Sequence, residues 1–250
     1  MDWTERTELL IGTEKLSRLR TSHILVVGNG GVGAYASEQV VRAGVGAVTI
    51  IDADTVSSSN INRQLIALSS TVNKKKCEVL KERLLDINPN LEIRAICKYM
   101  RGDDFEKLLS NTTFTYIIDC IDTLEPKVRL ISIAMKKNIP IISSMGAGSK
   151  LDPSKVRVAG VEKSYNCKLA RAVRKRLHRR GIKKGFKVVF SPEEVTDNST
   201  RLKDSENKKT VNGTISYLPA MFGCYCAATV INDIINTTET ELTIENDTIN

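Results

Sequence analysis

An α/β fold, with a mostly parallel sheet and helices on both of its faces, is predicted by three features of the sequence. Between residues 21 and 145, short apolar runs alternate with longer segments of helical period. That is the pattern of strands buried on both faces and joined by crossover helices. The first run, His23-Ile24-Leu25-Val26-Val27, enters a glycine-rich turn, Gly28-Asn29-Gly30-Gly31-Val32-Gly33. The second, Ala47-Val48-Thr49-Ile50-Ile51, ends at Asp52, 24 residues after Gly28. Strand, glycine turn, helix and an acidic strand end in that order make the sheet Rossmann-like.

The elements follow in sequence. Residues 1–20 carry Leu9, Leu10, Ile11, Leu16 and Leu19 as the apolar set of one or two amphipathic helices. A helix over 33–43 follows the glycine turn, and another over 73–87 is broken by Asn88-Pro89-Asn90. Strands are expected over 91–97 and 116–118, the latter ending in Asp119. A helix over 126–137 has Pro126 in its first turn, and a strand over 140–143 completes the alternation. The character then changes. A strand over 156–161, a basic helix over 167–180 and a short strand over 187–190 precede a polar, mobile loop over 197–213. A mostly apolar helix over 217–235 closes the core, and residues 236–250 read as a frayed tail.

Composition bounds the function. A chain of 250 residues, 41% hydrophobic and 26% charged, buries a core without covalent staples. No apolar run approaches the ~20 residues that span a bilayer, and the first residues lack a signal-peptide pattern. The expectation is a cytoplasmic protein with no membrane partner. None of the six cysteines forms a Cys-x-x-Cys pair, so no zinc site of that spacing is expected. The net charge of +8 is uneven: Lys163 to Lys187 holds 11 Lys and Arg and no acid, in a chain totalling 37 basic and 29 acidic residues. A mildly acidic body with one basic segment points to a polyanionic partner.

The glycine turn is built for phosphate. Gly28 makes the tight turn, Gly30 lets the backbone approach phosphate, and Gly33 lets helix and strand pack closely. The anion sits at the helix N-terminus, and Asp52 accepts from ribose hydroxyls. This fingerprint alone suggests a dinucleotide, but three further groups argue for ATP. Asn60-x-Asn62-Arg63-Gln64 places amides and a phosphate-binding guanidinium past the second strand. Lys76 opens a helix within reach of a β- or γ-phosphate, while Lys74 and Lys75 read as a solvated face. Asp119-x-x-Asp122 ends the fourth strand, where one carboxylate suits Mg²⁺ and the other caps the next helix.

Taken together, Gly-x-Gly-Gly-Val-Gly, Asp52, Asn60-x-Asn62-Arg63-Gln64, Lys76 and Asp119-x-x-Asp122 resemble the ATP-dependent activating enzymes of the ubiquitin-activating superfamily (the ThiF/HesA/MoeB type). The motifs cover roughly residues 5–150. Ser144-Met145-Gly146-Ala147-Gly148-Ser149-Lys150-Leu151-Asp152-Pro153, the basic 163–187 segment and the run from Gly213 to Gly223 extend the likeness. They point to the subgroup that acts on tRNA bearing N6-threonylcarbamoyladenosine. The resemblance implies one adenylating domain over 1–236, with a nucleotide-binding core at 21–145, a substrate-binding extension at 146–236 and a flexible tail at 237–250.

The resemblance further implies adenylation of the substrate carboxylate, release of pyrophosphate, and closure of the acyl-adenylate to a cyclic product and AMP. By carry-over, Arg63 and Lys76 neutralise phosphates and Asp122 holds Mg²⁺. Gly28, Gly30, Gly31, Gly33, Asp52, Asn60 and Gln64 bind the nucleotide. Arg6 corresponds to an N-terminal arginine that reaches a partner subunit's ATP site, which implies a homodimer. Arg171, Arg174, Lys175 and Arg179 are the expected tRNA contacts, docked through Leu169, Val173 and Leu177. Cys224 and Cys226 read as core residues. Adenylation of a small sulfur-carrier protein is the alternative. A monovalent cation near residues 146–152 and a sulfur-transfer partner protein stay open.

Overall fold

The computed structural model describes residues 2–101, 103–194, 200–202 and 210–236. The tail expected over 237–250 and most of the loop expected over 197–213 lie outside these residues. Seven strands form one sheet: β1 (His23–Val27), β2 (Ala47–Ile51), β3 (Glu92–Ile96), β4 (Tyr116–Asp119), β5 (Ile141–Ser144), β6 (Arg157–Gly160) and β7 (Lys187–Phe190). Their order is β3-β2-β1-β4-β5-β7-β6, all parallel except β6, which runs antiparallel to β7 on the edge. Thr200–Leu202 and Thr210–Asn212 form β8 and β9, a separate antiparallel pair.

The period-two alternation of each strand feeds two cores. Ile24, Val26, Ile118 and Val189 point to one face. It is covered by α2 (Thr13–Arg20), α3 (Gly33–Arg42), α4 (Lys76–Ile87) and α8 (Tyr217–Asn236). Leu25, Val27, Ile117 and Val188 point to the other face. There α5 (Asp104–Asn111), α6 (Leu124–Lys136) and α7 (Lys168–His178) pack. α1 (Glu5–Ile11) precedes them, separated from α2 by Gly12.

Several expectations change. The helix expected from 73 begins at Lys76, because Asn73 takes a left-handed backbone (φ 69) that ends the preceding turn. The helix α5 was not expected. Its Phe105, Leu108 and Leu109 are buried at helical spacing. The N-terminal apolar set divides: Leu16 and Leu19 are fully buried, whereas Leu9 and Leu10 are 81% and 85% exposed. One helix does prove long and apolar enough to cross a membrane, the 20-residue α8. Half of it is buried inside the protein, and Leu218, Phe222, Cys226 and Val230 are core residues against α3.

Strand register decides where the functional loops emerge. Val27 pairs with Ile51 on one side and with Asp119 on the other, so Gly28, Asp52 and Cys120 leave the sheet side by side. A buried ion pair sits just behind that edge. Lys127 Nζ on α6 donates to Asp119 Oδ2 at 2.7 Å and to Ser143 Oγ at 3.1 Å, and Ser143 donates to the same carboxylate at 2.6 Å. Asp119, Lys127 and Ser143 are all fully buried. Removing one partner of such a pair strands a desolvated charge, at a cost of about 3–5 kcal/mol. Lys127→Met is therefore expected to lower unfolding free energy by about that amount in a urea titration. A loss no greater than that of an exposed substitution would show that the pair does not hold the fold.

Candidate active site

A cleft of about 720 Å³ opens at the carboxyl ends of β1, β2, β4 and β5. Strand order reverses between β1 and β4, the place where open α/β sheets bind ligands. Gly28 adopts φ 91, and a side chain there would stand 2.7 Å from the Cys120 carbonyl oxygen. Gly33 is packing rather than lining: an added Cβ would lie 1.8 Å from the Gly28 carbonyl oxygen. Gly30 and Gly31 line the cleft between them.

Asp52 stands at the end of β2 on the cleft wall. Its carboxylate accepts from the backbone N–H of Asn29 at 2.6 Å and of Asp54 at 2.8 Å. Burial raises its pKa above the ordinary carboxylate value, against the opposing pull of Lys76 and these two hydrogen bonds. Asn29 Oδ1 and Gln64 Oε1 are buried without a hydrogen-bond partner among the described residues. Gln64 lies beside Gly30, so the glycine turn carries unused polar capacity where a nucleotide would rest.

The cations come from two loops. Lys76, the first residue of α4, is only 5% exposed and donates to Asp54 Oδ2 at 2.7 Å. The partner carboxylate is mostly exposed, so the pair can open at low cost. Arg63 lines the cleft, with Nη1 donating to the Ser59 carbonyl at 2.9 Å and to Asn62 Oδ1 at 2.8 Å. Asp122 is exposed on the cleft wall and makes no hydrogen bond among the described residues. The other aspartate of its motif, Asp119, is the buried partner of Lys127, and Thr123 precedes α6 as its N-cap.

Besides Gly33, two further expected site residues lie off the lining. Asn60 accepts from Ser57 N–H at 3.2 Å and caps its own turn. Arg6 is exposed on α1, with no hydrogen bond or ion pair among the described residues. Within one chain, neither reaches the cleft.

The cleft also gathers residues that the sequence reading passed over. Lys98, Tyr99, Met100 and Phe105 form one wall, with Lys98 paired to Asp104 at 3.1 Å and the Arg101 guanidinium 5.4 Å from the Tyr99 ring centroid. The apolar Phe105, Leu108, Leu109 spacing after Asp103-Asp104 is the signal that marks this segment as helical. Asn212, Thr214 and Pro219 close the cleft from far along the chain. Asn62 Nδ2 donates to the Thr214 carbonyl at 2.9 Å and ties that crossover to the Arg63 loop. The loop after β5 is held by Glu193, whose carboxylate accepts from the N–H of Leu151 and Asp152 and whose carbonyl accepts from buried Lys150 at 2.6 Å.

The basic helix α7 differs in detail from expectation. Ala170, Val173 and Leu177 form its buried face, while Leu169 is half-buried and lines the cleft. Arg174 does not face solvent: Nη1 donates to the Ser164 carbonyl at 2.7 Å and to the Ser164 hydroxyl, anchoring α7 to the body. Nor is its charge unpaired, because Arg176 and Arg180 both pair with Glu125 on α6, outside the segment. Arg171, Lys175 and Arg179 remain exposed, at i, i+4 and i+8 on one side.

Fold and site together define a nucleotide-binding α/β protein whose cleft gathers cations for phosphate and an open carboxylate. The chain belongs to the ThiF family, whose sequence profile matches residues 5–249. It is 35% identical over 245 residues to the tRNA threonylcarbamoyladenosine dehydratase of Bacillus subtilis, covering 94% of this chain and 95% of that one. A crystal structure of Escherichia coli tRNA N6-threonylcarbamoyladenosine dehydratase in complex with ATP superimposes with a TM-score of 0.84, at 32% identity and 92% of each chain. The molybdopterin-synthase adenylyltransferase of Haemophilus influenzae is 33% identical over 135 residues, 54% of each chain.

Two substitutions test the cleft. Asp122→Asn and Lys76→Met, which keeps the buried stem of the lysine, should each reduce AMP formation from ATP about 10²- to 10³-fold, the cost of one preorganised charge contact. Circular dichroism should be unchanged. AMP release at the wild-type rate from either purified variant would remove that residue from the site.

Proposed function

We propose that this protein uses ATP to cyclise N6-threonylcarbamoyladenosine in tRNA. The observation that carries this reading is the end-to-end correspondence with a dehydratase of that substrate, in a chain whose cleft has the polar groups an ATP-dependent acyl activation needs. A carboxylate oxygen of the modified adenosine attacks the α-phosphorus of ATP, and the bond to the β-phosphate oxygen breaks to release pyrophosphate. A nitrogen or oxygen of the same side chain then attacks the acyl carbon. The carbon–oxygen bond to AMP breaks, and the attacking group loses its proton to close the ring.

Catalysis of this kind is positioning and charge stabilisation. Gly30 and Gly31 admit the phosphates to the backbone N–H groups that open α3. Asp52 anchors ribose, and Arg63 and Lys76 hold the triphosphate. Lys76 leaves the exposed Asp54 for phosphate as the nucleotide enters. Asp122 fits Mg²⁺, which favours one or two carboxylates completed by substrate phosphates over an all-protein cage. Among the described residues no group of three or more metal-binding side chains occurs, as that mode of binding allows. When bound, the ion neutralises phosphate charge.

Arg6 serves the neighbouring subunit's site in a homodimer. It lies one turn from Leu9 and Leu10, whose exposure on α1 gives a second chain an apolar surface to cover. We expect Arg6→Ala and Lys76→Met homodimers to be inactive, and a mixture allowed to exchange subunits to regain activity through hybrid sites. A monomer by light scattering that turns over ATP at the normal rate would rule this out.

The exposed face of α7 tracks tRNA phosphates. The triple reversal Arg171→Glu, Lys175→Glu, Arg179→Glu should weaken tRNA binding and lower the salt slope of log K by close to one unit for each phosphate no longer neutralised. ATP affinity should stay unchanged. The deciding measurement for the reaction is AMP formation with tRNA bearing the modified adenosine, with unmodified tRNA, and with a small Gly-Gly-ending carrier protein. Stimulation by the carrier alone would transfer the assignment to sulfur-carrier adenylation.

A further inference from the structure

A second concavity, of about 580 Å³, lies along the edge strand β6 and shares no lining residue with the nucleotide cleft. Its wall combines Lys155, Arg157, Tyr165, Asn166 and Glu194. Tyr165 is 48% exposed, yet its ring is fixed by a T-shaped contact with buried Phe190, centroids 5.7 Å apart at 70°. Asn166 adopts φ 51, a left-handed conformation that Asn tolerates better than most residues. Tyr165 and Asn166 are thus two exposed residues between two buried anchors, Ser164 and Cys167. Ser164 is itself bonded to the Val161 carbonyl at 2.7 Å and held by Arg174.

The charges here are available. Arg157 is exposed and makes no hydrogen bond or ion pair among the described residues. Lys155 meets Asp152 only at 3.5 Å. The carboxylate of Glu193, also on this wall, is taken up by the N–H groups of Leu151 and Asp152. A preset aromatic ring, two cations and the edge-reading groups of Asn166 and Glu194 match the needs of one single-stranded nucleotide. The ring stacks the base, the cations meet phosphate, and amide and carboxylate read the base edge. An acidic peptide would use the cations, but it would leave the ring face without a purpose.

The location fits as well. Gly148 lines the nucleotide cleft and Asp152 touches the groove wall at Glu193, so four Cα steps bound the separation to about 15 Å. On its other side, Cys167 leads directly into α7. The groove therefore lies close to both the reaction site and the N-terminal end of the basic helix.

We propose that this groove is a nucleotide subsite in which Tyr165 stacks a single-stranded base of the tRNA close to the modified adenosine, with Lys155 and Arg157 on an adjoining phosphate. The inference rests on the tRNA reading above and adds the place where a second nucleotide is gripped. Its test compares the full-length wild type with Tyr165→Ala, Tyr165→Phe and Arg157→Ala, measuring tRNA affinity, ATP KM and tRNA-dependent AMP formation. Tyr165→Ala should weaken tRNA binding about five- to a hundred-fold, the range for removal of one base stack. Tyr165→Phe should stay within about two-fold of wild type. ATP KM should not move. Trp3 is the sole tryptophan, so Tyr165→Trp in a Trp3→Phe background gives a single reporter, whose fluorescence should be quenched by the modified anticodon stem-loop and not by a fully paired duplex. Wild-type turnover that depends on tRNA, combined with undiminished tRNA affinity in Tyr165→Ala, would overturn the subsite alone. Wild-type turnover indifferent to tRNA would overturn the substrate reading and this subsite with it.

Discussion

The buried ion pair between Asp119 and Lys127 sets the geometry on which the rest of the molecule depends. It joins β4 to α6, and Ser143 extends it to β5, so three elements are tied just behind the point where strand order reverses. Two desolvated charges are costly unless every remaining lone pair and proton is used. Here Asp119 accepts from Lys127, from Ser143 and from the Ile121 N–H at 3.0 Å, and Lys127 donates to both Asp119 and Ser143. The last bond bends the chain out of the strand and presents Asp122 to the cleft. An apolar substitute would fill the same volume without directing that loop. The pair is best understood as fixing one arrangement of the switch point, with stability a secondary result.

A division of labour among cations follows from burial. Lys127 and Lys150 are buried and spent on the body: one holds the switch point, and the other holds the loop after β5 through the Glu193 carbonyl. Burial drives the Lys150 pKa down, opposed by Cys167 and Glu193. Lys76 is buried too, but its partner carboxylate is exposed, so that pair can open at low cost. Arg174, Arg176 and Arg180 fasten α7 to the body, whereas Arg171, Lys175 and Arg179 extend into solvent. The basic segment thus acts as structure on one side and presents exposed cations on the other. Formal charge counting does not separate these roles; the positions of Ser164 and Glu125 do.

The central sheet was legible in the sequence because period-two apolar runs and a glycine turn are local signals. β1, β2 and β7 were expected over their observed residues, and β4 and β5 to within a residue at their ends. The glycine turn, Asp52, Arg63, Gln64, Lys76 and Asp122 line one cleft, as adjacent strand ends must when Val27, Ile51 and Asp119 are in register. What the sequence hid was long-range. Nothing local tells that Asp119 meets Lys127, that Arg174 turns inward to Ser164, or that Asn212, Thr214 and Pro219 return to cover Arg63. Leu9 and Leu10 have the pattern of core residues, yet both stay exposed on α1, from which Ile11 packs against the core. The missed α5 is different in kind, because its spacing was readable and Phe105 is the one large apolar side chain it brings to the cleft.

The environment of the thiols bears on the chemistry. A thioester route needs a thiolate, and that requires a depressed pKa and access. Burial and the neighbouring Cys97 and Asp52 push the Cys77 thiol up to about 12. The Cys226 thiol is raised by its contact with Cys120 and by burial, and the Cys224 thiol by burial. Cys77 sits on α4 directly after Lys76, where its sulfur accepts from Asn29 Nδ2 at 3.3 Å and approaches the Asp52 carbonyl at 3.4 Å. It acts there as packing that joins the glycine turn to the end of β2. An acyl-adenylate in this cleft lies against positioned polar groups, and Cys77, Cys224 and Cys226, whose thiols are raised, stand off its lining. Closure by a nucleophile already within the substrate then requires only that the ring-forming atoms be held together, and positioning is the form of catalysis that a rigid switch point and a clamped loop after β5 provide.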